Sequence, residues 1–321
     1  MDNKQIIALI KREVVPAIGC TEPAAVALCT AYATEALGCR PARIDVALSA
    51  NMLKNAMGVG IPGAGMTGLP IAVALGALVG KSAYGLEVLK DVCPQAVEEA
   101  KAWLESDPVH IGLTADSDEV LYIDVTCVAG EKRARAVIAR DHTRLVYLEG
   151  PDGPKVDRRA GLGKEQEEAA ESDLTLRRVF EFATTAPLED IEFINESRRL
   201  SCLCGCVVAS TGSSCGMTYL MGGGYDQVAA SVKNMIANLA GMVCDGAKPS
   251  CALKVSSGVS TAVLSAMLAV QNHSVSSVEG LIEDDVDRCI HNLTRLGSVG
   301  MQETDKMVLD IMTHKKNSAN K

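Results

Sequence analysis

Apolar positions along this chain change their period four times, and the changes divide it. Over residues 3 to 14, Ile6, Ile7, Leu9 and Ile10 recur among Lys and Glu, the 3.6-residue spacing of a short amphipathic helix. Residues 23 to 37 continue as an Ala-rich helix, and Arg43 to Ser49 alternates with the period of two that marks a strand. A glycine-rich stretch, Asn51 to Gly65, leads into a very apolar helix from about Thr67 to Val79, and another helix is read over 85 to 104, broken at Cys93-Pro94. Then the period shifts. Val109 to Leu113, Val120 to Ala129, Arg133 to Arg140 and Thr143 to Leu148 are four strand-like runs divided by short turns, which predicts an antiparallel sheet with one solvated face. Past Glu149 to Gly163 the pattern is helical again, at about 164–184, 187–199, 225–243, 258–271, 278–295 and 303–313, before a disordered tail.

These elements predict an α+β fold, a mostly helical core of small residues with a four-stranded antiparallel sheet segment at about 107–148. Residues 1–105 and 164–321 would make one helical domain, 106–150 a sheet subdomain, and 151–163 a linker.

Composition narrows the picture. The chain has 321 residues, of which 48% are apolar but only 3% aromatic, so its core must be built from small and aliphatic side chains at close range. A net charge of -9 excludes nucleic acid and anionic membrane as main partners, since both require a basic face. The N-terminus has no signal-peptide pattern, and no run reaches the about 18 to 20 apolar residues that span a bilayer. A cytoplasmic protein handling small molecules is expected. Twelve cysteines in a reducing compartment are then core filler, metal ligands or reactive thiols rather than a disulfide framework.

Six of those cysteines fall between Ser201 and Lys254: Cys202, Cys204, Cys206, Cys215, Cys244 and Cys251. No C-x-x-C occurs, which argues against a zinc ribbon, and widely separated single thiolates suit an iron–sulfur cluster. The competing reading is that small buried thiols fill a close-packed interior. Cys20 stands just before a helix opening, with Thr21 as N-cap and Pro23 in the first turn. Partial positive charge there would favour a thiolate, a ligand or an anion. The stretch from Asn51 offers Asn51, Lys54, Asn55 and the amides of Gly63 and Gly65 as donors for a carboxylate. It could equally be a structural turn, and it matches neither nucleotide-binding glycine fingerprint.

Four phrases taken together, Gly19-Cys20-Thr21-Glu22-Pro23, the loop Lys54 to Gly65, the segment Cys202 to Gly224, and Met242-Val243-Cys244-Asp245-Gly246-Ala247-Lys248, resemble the L-cysteine desulfidase family, related to the alpha chain of iron–sulfur L-serine dehydratases. The resemblance implies a cytoplasmic [4Fe-4S] lyase that converts L-cysteine to pyruvate, ammonia and sulfide, with L-serine as the alternative substrate. It also implies that the helical domain is catalytic and holds the cluster. The ligands would be Cys20, one thiol of the CLCGC word, either Cys204 or Cys206, and Cys244; serine dehydratases also use the second of a close downstream pair, which brings in Cys251. Lys54 is the candidate base, or else binds the substrate carboxylate with Asn51, Asn55, Gly63 and Gly65. A homodimer is the assembly considered. The chain departs from the family where Leu200 runs directly into Ser201, because a Gly-rich segment and core helices expected between them are absent. That implies an internal deletion, and with it a rival reading as an inactive variant. A pyridoxal-phosphate lyase would do the same chemistry, but no strand-loop Lys with a phosphate-binding Gly/Ser loop is seen.

Overall fold

The computed structural model describes residues 1–13, 17–115, 117, 119–161, 174–187 and 205–315. Two units are distinct in it: Met1–Val14 with Ala169–Cys244 and Ser250–Thr304, and Val15–Glu168 with Asp245–Pro249 and Asp305–Lys321. The first begins with α1 (Asn3–Glu13), the short amphipathic helix expected.

The second unit is built on α2 (Thr21–Leu37), whose residues are buried almost throughout. A helix whose Ala, Val, Leu and Cys residues occur on most of its circumference, with Glu35 its exposed charge, is stable only when most of it is covered. α2 ends at Gly38, where φ is 74° and the N–H bonds Thr34 O, the left-handed stop that glycine adopts without strain. After it come β1 (Arg43–Leu48), α3 (Ala50–Ala56), a small hairpin of β2 (Gly60–Ile61) and β3 (Met66–Thr67), α4 (Leu69–Leu78) and α5 (Pro94–Leu104). α4 lies directly on α2. At Gly76 a Cβ would stand 2.7 Å from Ala27 O, so the two helices touch backbone to backbone and only glycine fits.

The four predicted strands are present as β4 (Val109–Leu113), β5 (Tyr122–Ala129), β6 (Lys132–Ala139) and β7 (Leu145–Gly150), and β8 (Gly153–Asp157) follows. They belong to a larger sheet than the four-stranded one expected. Its order is β4-β1-β5-β6-β7-β8. β1 enters between β4 and β5, parallel to the first and antiparallel to the second. The parallel pairing is possible because α3, α4 and α5 provide the long crossover it needs. The reason for β1's place is its alternation: Ile44, Val46 and Leu48 are buried, and they continue the apolar face made by Ile123, Val125 and Cys127 opposite them. The stretch read as a linker contributes the edge strand β8, paired to β7. One face of the sheet packs on α2, α4 and α5. The other carries a smaller buried cluster, Tyr122, Val137, Ala139, Val146 and Tyr147, beside a 2.5 Å Arg135–Asp124 ion pair.

The first unit is helical: α6 (Leu176–Thr185), α7 (Gly205–Leu220), α8 (Tyr225–Leu239), α9 (Cys251–Val270) and α10 (Val286–Arg295). Small residues again set the spacing. A Cβ at Gly258 of α9 would stand 2.9 Å from both Cys206 Sγ and Ser210 Oγ of α7, and buried Ser231 donates to Ser214 at 3.1 Å. α9 is the longest of these helices. It has 20 residues and a mean hydropathy of 1.5 over an 18-residue window, long and apolar enough to cross a membrane by length and composition, and a third of that window is buried. Its serines, threonine and glycine interrupt the apolar pattern without adding charge, which is why no continuous apolar run is visible. Leu253, Val259, Leu264 and Met267 on α9 are exposed. The helix expected at 187–199 lies outside the described residues. The last helix, α11 (Gln302–Thr313), brings Asp305 into the second unit.

The α2–α4 contact yields a test: Gly76→Ala should destabilise the chain by about 2 kcal/mol through overpacking, measured by urea unfolding. A variant with the wild-type midpoint would show that the helices do not approach this closely.

Candidate active site

The N-terminus of α2 is where the second unit gathers polar side chains. Cys20, not Thr21, is its N-cap residue, and no side chain caps the helix. Instead the Cys20 thiol donates to Glu22 Oε2 at 2.9 Å, and Thr21 Oγ1 donates to the same oxygen at 3.2 Å. The other carboxylate oxygen, Oε1, accepts from Asn55 Nδ2 at 3.4 Å, and that amide nitrogen also reaches Asn51 Oδ1 at 3.2 Å, one turn back on α3. Glu22 thus ties α2 to α3. The Cys20 thiol is pushed well above its ordinary value, first by burial and then by the Glu22 charge and hydrogen bond. The lowering expected at a helix N-terminus is reversed, because desolvation and a neighbouring carboxylate both oppose the thiolate more strongly than half a helix charge favours it.

The glycines of the early loop shape this site from outside. Gly63 and Gly65 have φ of 76° and 62° and form the turn of the β2–β3 hairpin. Its tip is pressed on the cysteine turn: at Gly19, φ 81°, a Cβ would stand 2.6 Å from Pro62 Cγ. Any larger residue at position 19 would push the hairpin off Cys20.

Lys54 faces elsewhere than Asn51 and Asn55. Its side chain is 3% exposed and its Nζ pairs with Asp305 Oδ1 at 2.5 Å. A buried ammonium demands such a counter-charge. The loop Asp245–Pro249 covers the other side of α3: at Gly246, φ 86°, a Cβ would stand 2.6 Å from Lys54 O. Within this loop Lys248 pairs with Asp245. The phrase following Cys244 therefore packs on the helix that holds Lys54, some two hundred residues away in sequence and local only through the fold.

The other unit brings Cys206 and Cys251 together. Cys206 Sγ donates to Lys254 O at 2.9 Å, and its thiol is pushed up by burial first, with the nearby Cys251 adding to it. Cys215 is half-buried beside the apolar cluster of α8 and α10, and burial pushes its thiol up as well. Cys244 is half-buried. Cys202 and Cys204 lie outside the described residues. Among the described residues no group of three or more His, Cys, Asp or Glu side chains is arranged to hold a metal ion, so these residues alone do not fit a cluster, although their thiols are the donor chemistry one requires. An open cleft of about 560 Å³ in the same unit is lined by Arg177, Tyr225, Lys233, Asp284 and Asp285 and contains none of these cysteines.

Two residues of the site escaped the sequence reading. Glu22 was visible inside the cysteine phrase but had no assigned partner. Asp305 sits in an ordinary amphipathic helix, and nothing local marks it as the counter-charge of Lys54.

Curated relatives from several bacteria align along nearly the whole chain. A UPF0597 protein of Bacteroides fragilis is 47% identical, with 98% of this chain and 99% of the relative covered. The chain belongs to the UPF0597 family. UPF0597 proteins of Oleidesulfovibrio alaskensis and Shewanella pealeana are 36% and 33% identical, covering 97% and 95% of the chain and 98% and 97% of the relatives. Residues 164–310 match the model of the serine dehydratase alpha chain, so this UPF0597 protein is serine dehydratase-like. The alignment to the Bacteroides fragilis protein runs over 423 positions, more than the 321 residues present here. The chain therefore lacks internal sequence that its UPF0597 relative carries. No solved structure matches it.

The Lys54–Asp305 pair gives the second test. Asp305→Asn leaves a buried ammonium opposite a neutral amide and should cost about 2 kcal/mol of stability, while adding Lys54→Met should cost less than the two single changes together. Additive losses in urea unfolding would show that the pair carries no coupling.

Proposed function

We propose that this UPF0597 protein is a lyase of the serine dehydratase type, acting by β-elimination on a small α-amino acid. L-Cysteine, giving pyruvate, ammonia and sulfide, is the first choice, with L-serine as the alternative, and the cytoplasm is the proposed location. The observation that carries the reading is the half-buried set at the start of α2, where Cys20, Glu22, Asn51 and Asn55 form one hydrogen-bonded group, in a chain whose later part matches the serine dehydratase alpha chain. The match supports the reaction class. The choice of a thiol substrate rests on the resemblance of the cysteine phrases to desulfidases.

A [4Fe-4S] cluster belongs to this proposal on the same resemblance, with Cys20, Cys204 or Cys206, Cys244 and Cys251 as its prospective ligands. Since the described residues do not assemble that set, no step is derived through it. What the chain's own groups can do is more specific. An amino acid bound for elimination needs its carboxylate held, its ammonium oriented and water kept from the reacting carbon. Lys54, buried and already paired with Asp305, suits carboxylate recognition better than proton abstraction, because an ammonium in an ion pair has no lone pair to offer. To serve as base it would first have to pass its proton to Asp305. Gly63 and Gly65 contribute by setting the hairpin against Gly19, and any carboxylate binding by their amides is secondary to that.

The experiment is anaerobic reconstitution, followed by iron and acid-labile sulfide analysis and a pyruvate assay with each amino acid. About four iron and four sulfide per chain are expected, lost on Cys244→Ala, with higher kcat/KM for L-cysteine. Higher kcat/KM for L-serine would make the protein a dehydratase, and pyruvate from neither, with iron bound, would place essential groups in the sequence this chain lacks. Lys54→Ala separates the two roles of the lysine. A binding role should mainly raise KM, a base should lower kcat by roughly 100-fold, and unchanged constants would leave Lys54 a structural charge.

A further inference from the structure

We propose that Asn55 recognises the ammonium group of the substrate, through a side-chain oxygen that calls for an N–H donor. This rests on the amino-acid lyase reading above, and it reverses the polarity expected of Asn55 from sequence, where its amide counted as a donor for a carboxylate. The orientation of the amide follows from its neighbours. Asn55 Nδ2 lies between Glu22 Oε1 and Asn51 Oδ1, an ionised carboxylate oxygen and an amide oxygen, both of which only accept. Flipping the amide would set an oxygen against two oxygens, so the nitrogen faces them and Oδ1 faces away.

That oxygen is buried and has no hydrogen-bond partner among the described residues. Folded proteins rarely leave a buried acceptor unmatched, because its lost hydration is not recovered. A ligand that brings an N–H removes the deficit. An α-amino acid carries one such group, its ammonium, whereas its carboxylate is acceptor-only and would be repelled by Oδ1. Glu22 adds a second preference of the same sign: its carboxylate bonds the far side of the amide, at 3.4 Å from Nδ2, and so favours a cation nearby while disfavouring an anion. The hydrogen bonds also polarise the amide in the useful direction, since donation from Nδ2 to an anion increases the negative charge on Oδ1. Asn51 completes the arrangement by holding Asn55 from one turn back on the same helix. The assignment concerns the amino end of the substrate alone.

The test is isothermal titration of the reduced full-length chain with three probes: L-cysteine, 3-mercaptopropionate, which lacks the amine, and cysteamine, which lacks the carboxylate. Wild type should bind L-cysteine at least about tenfold more tightly than 3-mercaptopropionate, the worth of one charged hydrogen bond in a buried site. Asn55→Leu should abolish that preference and weaken cysteamine equally, while leaving 3-mercaptopropionate within about twofold, so that the selectivity between probes is the readout and the stability lost with the Glu22 and Asn51 hydrogen bonds is not. If Asn55→Leu instead weakens all three probes equally, the amide is structural and the proposal fails. If it retains the wild-type preference, the ammonium is read elsewhere and only the assignment of Asn55 fails. If wild type binds neither L-cysteine nor cysteamine, the amino-acid reading itself falls, and this inference with it.

Discussion

The contact on which the second unit depends is the backbone approach of α2 and α4 at Gly76 and Ala27. α2 is apolar over most of its circumference, with Glu35 at the surface, so its neighbours must cover nearly all of it. α4 covers one side at the distance only glycine allows. The sheet covers another with the buried residues of β1, β5 and β6, and Cys29 of α2 donates to Ala136 O at 3.3 Å. A core so poor in aromatic residues has few large side chains to bridge gaps, and small residues gain dispersion energy only at close range. The same solution recurs in the helical unit, where Gly258 lets α9 settle onto Cys206 and Ser210.

That buried helix also determines where chemistry can occur. Its C-terminal half is locked in the core and stopped at Gly38, so its N-terminus is a rigid place to hold functional groups. Three segments converge there from different parts of the chain: the turn at Gly19 and Cys20, the hairpin whose Pro62 presses on Gly19, and α3 with Asn51 and Asn55. The thiol and the acid next to it act on each other. Burial and the Glu22 carboxylate keep Cys20 protonated in this form, so any ligand that takes the thiolate must displace a proton and end the hydrogen bond to Glu22.

The helical unit packs through small polar side chains. Its bundle is held by buried hydroxyls and small residues, with Ser210, Ser214, Thr218, Ser231, Thr261 and Ser265 all buried, and hydroxyls such as Thr218 bond back to the helix carbonyl four residues earlier. Meanwhile Leu253, Val259, Leu264 and Met267 of α9 remain exposed. Scattered apolar residues on a surface are ordinary, but a row along a helix whose one charged residue is Lys254 is not.

Local pattern determined the elements. Period two marked β1 and β4 to β7, period 3.6 marked most of the helices but not α3 or α7, whose stretches read as a glycine-rich loop and a thiol segment, and the cysteine phrases pointed to the family class, because each of these signals is carried by residues a few positions apart. What the pattern could not determine was partnership. The alternation of Arg43 to Ser49 announces a strand but not its neighbours, and only the need to continue one buried face placed it between β4 and β5. The stretch after Glu149 read as a linker because Gly and Pro dominate it, yet an edge strand tolerates both. A helix start was legible at Cys20, but the sign of its thiol shift was not, since that depends on how much water the fold removes and on which carboxylate comes to lie beside it. Lys54 and Asp305 are 251 residues apart, and no sequence rule relates them. Charge pairing across such a separation is decided by the closure of the core, because a buried ammonium accepts whichever carboxylate the packing delivers.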